Sequence, residues 1–170
     1  MSANTKHWVR FAVQLAAAAA LVALDHLFKA LAQADLKGQG TLVLIKGVFG
    51  LTYAENTGAA FSLFASSTAA LTVVTGIVLL GGVAALAVIK KKPLIYDICV
   101  PLIIAGGAGN QLDRLTKGYV IDYLHALFID FPVFNFADCL ITCGCFAVMI
   151  YLVYDIVRDV KKRKPVEDPA

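Results

Sequence analysis

The sequence predicts an all-α membrane protein with four transmembrane helices and a small extracytoplasmic β-platform. Hydrophobic residues make up 59% of the 170 residues and charged residues only 16%, and the mean hydropathy is +0.76. The apolar residues form four long runs, and basic residues cluster at the ends of these runs. Soluble domains carry about a quarter charged residues, so a large soluble core is not expected.

The four apolar runs predict helices over about residues 9–31, 68–89, 94–112 and 136–157. A run of roughly 20 apolar residues crosses a hydrocarbon core of ~30 Å, because a helix rises ~1.5 Å per residue. The first run follows basic residues, as in a signal peptide, but it is long, contains Asp25 and Lys29, and lacks a clear cleavage site. We therefore expect it to be a retained membrane helix.

Basic residues predict the orientation of these helices. Patches within residues 6–10, 90–92 and 158–164 flank the apolar runs, and Lys and Arg are enriched at cytoplasmic ends. Both termini are therefore expected in the cytoplasm, with segments 32–67 and 113–135 outside. The patches also account for the net charge of +3, so no nucleic-acid partner is expected. Residues 1–160 should form a single membrane domain, and the charged, proline-containing segment 161–170 a disordered cytoplasmic tail.

The first external segment has the composition of a small sheet. Residues 41–45 and 48–53 are rich in β-branched, leucine and aromatic residues and are separated by Lys46 and Gly47. This pattern predicts a β-hairpin or meander. A two-stranded sheet is only marginally stable alone in water, so we expect it to rest on the helix ends or on the membrane surface.

Polar residues from three predicted helices fall at one depth. Counting ~1.5 Å per residue from the cytoplasmic anchors places them ~22 to 30 Å along their helices, close to the outer edge of the hydrocarbon. Within this layer, residues spaced i, i+3 or i, i+4 share a helix face, which groups Asn110 with Asp113 and Arg114, and Asn135 with Asp138. The residues of the layer are Asp25, Lys29, Asn110, Asp113 and Asp138.

Two aspartates carry the functional hypothesis. Asp138 opens the last apolar run, and Asp122 lies in the external segment before it. A carboxylate at the edge of hydrocarbon is costly unless it is protonated, paired or used, and it indicates function by default. For the other polar groups a structural role is also open: Lys29 could snorkel to the interface with Asp25 as its partner, and Asp113 could pair with a nearby cation.

The four cysteines and the histidines do not indicate a metal or cofactor site. Cys99, Cys139, Cys143 and Cys145 all lie in apolar segments, their spacing is not that of a metal site, and no histidine is close in sequence. We expect them to be buried packing residues. His26 and His125 are interpreted as interfacial polar residues, and no cofactor is expected.

The chain resembles the bacterial lipoprotein signal peptidase family, signal peptidase II. The third and fourth of the matching segments are highly specific in order and spacing, and departures from the expected pattern occur only at residues 26–28 and 123. The segments are Asp25-His-Leu-Phe-Lys29, Glu55-Asn-Thr-Gly-Ala-Ala-Phe61, Gly106-Gly-Ala-Gly-Asn-Gln-Leu-Asp-Arg114, and the pair Val120-Ile-Asp122 with Phe134-Asn-Phe-Ala-Asp138.

The resemblance implies a membrane aspartic endopeptidase of the bacterial cytoplasmic (inner) membrane, with its active site facing outward. It would cleave the signal peptide from diacylglyceryl-modified prolipoproteins immediately before the lipidated cysteine. Its expected partners are this substrate and membrane lipids, and we expect a monomer. Asp122 and Asp138 fall on the catalytic dyad. Substrate-binding or supporting positions fall on Asn56, Gly58, Asn110, Asp113, Arg114, Asn135, Asp25 and Lys29.

Two other classes of protein remain open from the residues alone. A small four-helix proton-coupled transporter would also carry membrane carboxylates, but it would need them near mid-membrane and accessible from both sides. A non-enzymatic assembly protein would have no need to bring Asn110, Asp122, Asn135 and Asp138 together. A cleavage assay with and without the lipid on the substrate cysteine separates these classes.

Overall fold

The computed structural model describes residues 1–58 and 68–162. Within these residues, four helices and three strands follow one another. In chain order they are α1 (Ala3–Leu36), β1 (Leu42–Ile45), β2 (Phe49–Asn56), α2 (Thr68–Val88), α3 (Leu94–Lys117), β3 (Val120–Ala126) and α4 (Phe136–Lys162).

Three of the helices are long and apolar enough to cross a membrane: α1, residues 69–88 of α2, and α4. Helix α3 has 24 residues but does not meet this criterion of length and composition, so four spans are not confirmed. Helix α3 packs against each of the other three helices, and its buried face carries glycines and the polar residues Asn110 and Asp113. A helix surrounded by protein needs fewer apolar residues than one surrounded by lipid, which explains its lower hydropathy.

Three of the helices, α1, α3 and α4, are longer than the apolar runs that predicted them, whereas α2 ends one residue before the predicted position 89. Helix α1 begins at Ala3, where the Ser2 side chain accepts a hydrogen bond from the backbone N–H of Thr5 at 3.1 Å and caps the helix. Helix α3 continues to Lys117 and ends at Gly118, which has a left-handed φ of 82° that glycine adopts without strain. Residues 113–117 of the predicted external segment are therefore helical, because polar residues extend these helices beyond the apolar core.

The predicted disordered tail is wrong at its first two residues. Lys161 and Lys162 form the last turn of α4, where basic side chains interact favourably with the carbonyl end of a helix. The remainder of the predicted tail, 163–170, lies outside the described residues.

The segments predicted to be external contribute a three-stranded antiparallel sheet in the order β1-β2-β3. The hairpin predicted over 41–45 and 48–53 is present as β1 and β2, with Gly47 at a φ of 70° in the turn. Strand β2 extends to Asn56, and β3 comes from the connection between α3 and α4, which sequence analysis treated as a plain segment. Ala54 is paired with Asp122, and Asn56 with Val120. The register therefore brings the end of β2 beside Asp122.

The sheet rests on the end of α1, as expected for a small sheet. Ala32 and Leu36 of α1 form a buried cluster with Tyr123 of β3. A second cluster joins the helices themselves and contains Ala18, Leu86, Ile104, Ala105 and Leu140. The two clusters hold the sheet and the helix bundle together, so residues on β3 and on α4 can form one site.

Candidate active site

Asp138 lies in the first turn of α4 and is held by the residue that caps this helix. The backbone N–H of Asp138 donates to the Asn135 side-chain oxygen at 3.0 Å, and the backbone N–H of Asn135 donates to Asp138 Oδ2 at 3.0 Å. This reciprocal pair is a capping box. It leaves Asp138 Oδ1 free to accept a hydrogen bond from Asn110 Nδ2 at 2.7 Å. The start of a helix also favours a negative charge.

Asp122 lies on β3 and is 2% exposed. Its Oδ1 accepts a hydrogen bond from Asn135 Nδ2 at 2.6 Å, and its Oδ2 accepts one from Asn56 Nδ2 at 2.9 Å. Asn56 lies at the end of β2, and its own side-chain oxygen accepts the backbone N–H of Gly58 at 3.0 Å. The pairing of β2 with β3 therefore places both Asp122 and Asn56, one of its two amide donors, in the site.

Asn135 joins the two aspartates. Its side-chain oxygen binds the backbone of Asp138, and its side-chain nitrogen binds the carboxylate of Asp122. The same nitrogen lies 3.1 Å from Asn110 Oδ1. Asn135 is 0% exposed and Asn110 is 5% exposed. The carboxylates are thus oriented by a buried network of three amide side chains, those of Asn56, Asn110 and Asn135.

A buried ionic cluster supports this amide network. Lys29 is 1% exposed, and its ammonium lies 2.8 Å from Asp25 Oδ2 and 3.2 Å from Asp113 Oδ2. The same ammonium donates to Asn110 Oδ1 at 2.9 Å. Lys29 is therefore buried and does not extend to the membrane interface, so the snorkelling interpretation is wrong. Asp25 is its partner, as that interpretation expected. Asp113 also pairs with Lys117 at 2.8 Å, as the cation-pairing interpretation expected.

The two carboxylates of the ionic cluster also hold backbone at the start of α4 and β3. Asp25 Oδ1 accepts the N–H of Ala137 at 3.1 Å, and Asp113 Oδ2 accepts the N–H of Ile121 at 3.2 Å. Ala137 precedes Asp138, and Ile121 precedes Asp122. Each aspartate of the candidate pair is therefore preceded by a backbone group that is bound to a buried carboxylate.

Glycines in α3 make these contacts possible. A Cβ on Gly109 would lie 2.6 Å from Asp25 Oδ2, and a Cβ on Gly106 would meet the backbone oxygen of Ala137. Real Cβ atoms do not approach other atoms this closely. The absence of side chains at these two positions allows α1 and the start of α4 to approach α3 closely enough for hydrogen bonding.

Burial shifts the ionisation of Asp122. Removal from water raises the pKa of its carboxyl to about 6, and the nearby Asp138 acts in the same direction. The hydrogen bonds from Asn56 and Asn135 oppose this shift because they stabilise the carboxylate. Asp122 therefore holds a proton in a pH range where an ordinary aspartate is ionised.

A cavity of about 290 Å³ opens onto both aspartates. Its opposite wall is formed by residues 131–134, which contribute two phenylalanines, a proline and a valine. Arg114 lines the same cavity, and its guanidinium makes no hydrogen bond or ion pair within the described part of the chain. The cavity thus combines an apolar wall, an available guanidinium and a carboxylate pair. Together these groups can bind a largely apolar chain and hydrolyse a polar bond within it.

All ten site residues predicted from the sequence lie in or beside this network. The amides, Gly58, Arg114, Asp122 and Asp138 line the cavity or bond a residue that does, and Asp25, Lys29 and Asp113 lie behind it. Their roles as catalytic or substrate-binding residues stay predictions. Sequence analysis missed the part played by Lys117 in the ionic cluster and that of the backbone at 121 and 137, for which no sequence signal exists.

Within the described residues, no cysteine or histidine side chain hydrogen-bonds Asp122 or Asp138. The four cysteines are free, but only Cys99 is buried, Cys139 is half-buried, and Cys143 and Cys145 are exposed, so the expectation that all four are buried is wrong. His26 Nδ1 donates to the Val22 backbone oxygen at 3.2 Å, and His125 bonds Thr52 at 2.9 Å. Within residues 1–58 and 68–162, no group of three or more His, Cys, Asp or Glu side chains is placed to hold a metal ion.

Fold and site together define a membrane protein with a paired-carboxylate site at one end of its helices. The family model of signal peptidase (SPase) II matches residues 17–154. The chain is 36% identical over 137 residues to a lipoprotein signal peptidase of Enterococcus faecalis, covering 81% of this chain and 85% of that protein. It is 37% identical over 135 residues to one of Streptococcus thermophilus, covering 78% and 87%. The chain belongs to the signal peptidase II family and is a bacterial membrane peptidase.

Solved structures agree with this family. A bacterial membrane enzyme determined by the in meso method at 2.3 Å superposes with a TM-score of 0.78 and 26% identity, over 92% of this chain and 95% of that chain. A second, determined at 1.9 Å, gives a TM-score of 0.75 at 26% identity, over 85% and 94%. These comparisons give no support to the transporter alternative.

Proposed function

We propose that this chain is an aspartic endopeptidase that removes the signal peptide of diacylglyceryl-modified prolipoproteins, cutting immediately before the lipidated cysteine. The observation that carries the proposal is the position of Asn135, whose side chain bonds the Asp122 carboxylate and the Asp138 backbone at once. Membership of the signal peptidase II family supports prolipoproteins as the substrates. The paired carboxylates support the aspartic type of the reaction.

Peptide hydrolysis by this pair needs one proton shared between two carboxyl groups. Two carboxylates at close range cannot both ionise easily, so one keeps its proton. The ionised carboxylate takes a proton from water as the water oxygen attacks the scissile carbonyl carbon. The protonated carboxyl donates a hydrogen bond to the carbonyl oxygen as charge develops there. Collapse of the tetrahedral intermediate breaks the C–N bond, and a carboxyl proton passes to the departing amine.

The surrounding residues orient this pair and the substrate. Asn56 and Asn110 each donate to one carboxylate, at 2.9 Å to Asp122 and at 2.7 Å to Asp138. Preorganised donors of this kind require no rearrangement at the moment of reaction. The Arg114 guanidinium makes no hydrogen bond or ion pair within the described residues, and we assign it to the substrate backbone. Lys29, Asp25 and Asp113 support the pair from behind rather than touch the substrate.

The proposed topology follows from the substrate and the charges. Helix α3 would be the fourth membrane span, with both termini in the cytoplasm and the carboxylate pair at the outer face of the cytoplasmic (inner) membrane. A signal-peptide helix and acyl chains both partition into lipid, so the scissile bond would reach the protein at this interface. Residues 1–160 would act as one membrane domain and as a monomer.

The test is cleavage of a lipidated prolipoprotein peptide by purified protein in detergent. We expect Asp122→Asn and Asp138→Asn to lower kcat by at least ~10³-fold, in the range seen when members of a catalytic unit are removed. The matched control is Asp35→Asn, an exposed acid at the same end of α1, which should retain full activity. Retained cleavage by either dyad variant would rule out the aspartic assignment.

Two further measurements with the same cleavage assay distinguish competing interpretations of the activity. The peptide without lipid on its cysteine should be a poor substrate, because the acyl chains contribute to binding in the membrane. Cys139→Ala removes the thiol beside Asp138 and should leave activity largely unchanged. A complete loss in this variant would indicate a thiol mechanism instead.

A further inference from the structure

A second polar cavity lies at the end of the helices opposite to the aspartates. It has a volume of about 480 Å³ and is enclosed by the first turns of α1 and by the connection between α2 and α3. Its charged and titratable lining residues are Lys6, His7, Arg10, Lys90 and Lys91. Among residues 1–58 and 68–162 no acidic side chain lines it, so this lining is strongly basic.

His7 is the buried polar group of this cavity. It is 5% exposed, and its Nε2 lies 2.8 Å from the backbone oxygen of Ala87. A carbonyl oxygen can only accept, so Nε2 carries the hydrogen of this bond. Nδ1 is left without a partner within the described residues. This nitrogen is itself enclosed by protein, so His7 positions α1 beside the end of α2, and the exposed cations of the cavity are the groups that a ligand can reach.

Within the described residues, the protein neutralises only part of the positive charge of the cavity. Arg10 is paired with Asp97 at 3.1 Å, and Asp97 also accepts a hydrogen bond from Gln14 at 2.8 Å. Lys90 donates to the neutral side chain of Asn4 at 3.2 Å. The side chains of Lys6 and Lys91 are exposed and make no hydrogen bond or ion pair within the described part of the chain. The cavity therefore has two free ammonium groups available for an anion.

The depth of the cavity corresponds to the headgroup layer of a membrane. Trp8 is 49% exposed and packs edge-on against His7 at 5.3 Å between ring centroids. Tryptophan is enriched at the membrane–water interface. His7 and Lys29 are 22 residues apart on α1, or ~33 Å along the helix axis. That distance is close to the thickness of the hydrocarbon core, so the cavity and the aspartates face opposite leaflets.

We propose that this cavity binds the phosphate headgroup of an anionic phospholipid in the leaflet opposite to the aspartate pair. Lys6 and Lys91 bind the phosphate from α1 and from the α2–α3 connection. His7 does not contact the headgroup: its Nε2 bonds the Ala87 oxygen and holds the start of α1 beside the end of α2, which forms the cavity between them. The bound lipid joins the start of α1 to the end of α2 and stabilises their packing.

The orienting effect of basic residues during membrane insertion does not account for these features. It depends on the number of Lys and Arg residues near the ends of the spans. It does not need a cavity between two elements, such as the one enclosed here by the start of α1 and the α2–α3 connection. Basic pockets between membrane helices are known to bind anionic headgroups, and the geometry here agrees with that use.

Trp8 is the only tryptophan in the chain, which gives a direct probe next to the cavity. Purified full-length protein in a non-ionic detergent is titrated with phosphatidylglycerol while tryptophan fluorescence and the Tm are recorded. We expect saturable binding that raises the Tm, and little effect of phosphatidylcholine. Lys6→Gln/Lys91→Gln should weaken phosphatidylglycerol binding on the order of tenfold or more, because each lysine near an anionic headgroup contributes separately.

The matched control is Lys161→Gln/Lys162→Gln, which removes the same charge from exposed positions at the end of α4. This variant should bind phosphatidylglycerol as the unchanged protein does. Equal weakening in both double variants would overturn the proposal, because binding would then follow net charge alone. Inorganic phosphate and glycerol phosphate are titrated in parallel. Saturation by either of them at the lipid's concentration would also overturn it, since the occupant would be a soluble anion.

Discussion

Asn135 and Asp138 bond each other in both directions, side chain to backbone, at 3.0 Å each. The same asparagine donates its amide to Asp122. The Asn135 side chain therefore caps the start of α4 and also orients the carboxylate of Asp122, which lies on β3. Helix capping and the alignment of the candidate dyad depend on different atoms of Asn135, so the two roles can be tested separately.

Asn135→Ser keeps an oxygen that can cap α4 but removes the amide donor to Asp122. We expect kcat for the lipidated peptide to fall by ~10²-fold or more, as when one preorganised donor is removed from an active site. Asn135→Ala loses the cap as well, and it should be less stable than Asn135→Ser by about 1 kcal/mol. Steady-state kinetics and thermal unfolding in detergent measure the two effects. Equal stability of the two variants would contradict the capping role.

Burial raises the pKa of Asp122, and the hydrogen bond from Asn56 opposes this rise. The Asn56 amide stabilises the ionised carboxylate, and burial has already raised the pKa of Asp122 to about 6. In Asn56→Ala the ionisation seen in the pH profile of kcat/KM should therefore move to higher pH. Glu55→Gln changes the neighbouring residue, which pairs with Lys37, and should leave that ionisation in place. A downward shift in Asn56→Ala would mean that the hydrogen bond does not stabilise the carboxylate.

Lys29 neutralises two buried carboxylates, those of Asp25 and Asp113. Lys29→Met leaves these charges without their shared ammonium, and we expect a loss of about 3–5 kcal/mol in the free energy of unfolding. Lys117→Met removes the other, partly exposed partner of Asp113 and should cost less than about 1 kcal/mol. Thermal unfolding of the two variants side by side provides the measurement. Similar losses of unfolding free energy in both variants would show that the burial of Lys29 does not determine its contribution to stability.

Gly106 allows α3 to lie against the backbone of Ala137, directly before Asp138. Gly106→Ala places a methyl group against that backbone and against Ile141 Cγ1 at 2.8 Å. We expect overpacking to destabilise the protein by about 1–3 kcal/mol and to lower kcat by displacing the start of α4. Gly81→Ala is the control, since a Cβ there meets nothing within 4 Å and alanine favours helix. An active, stable Gly106→Ala would contradict this close packing.

The polar layer could be predicted from the sequence because helix geometry is regular. A constant rise per residue and the i, i+3 relation were enough to group Asn110, Asp113, Asn135 and Asp138. These residues are indeed joined through hydrogen bonds and ion pairs. The prediction that Asp122 belongs to the same site rests on the family resemblance and on its place in a predicted external segment, not on helix periodicity.

Strand β3 was not predicted because its stabilising partner is distant in sequence. Val120 and Ile121 are suitable for a strand, but Asp122 and His125 interrupt the apolar pattern. Pairing with β2, more than sixty residues away for Asn56 and Asp122, decides the structure of this segment. The same holds for the bond between Asp25 and the N–H of Ala137, which depends on how α1, α3 and α4 pack.

The sheet position of Asp122 has a consequence for membrane insertion. Its bonds reach back to Asn56 and forward to Asn135, while Asn110 links Asp138 to Lys29 on α1. A chain emerging N-terminus first holds few of these contacts until α4 has entered the bilayer. A partly inserted protein would therefore be inert towards neighbouring membrane peptides, and peptidase activity reports that translation and insertion are complete.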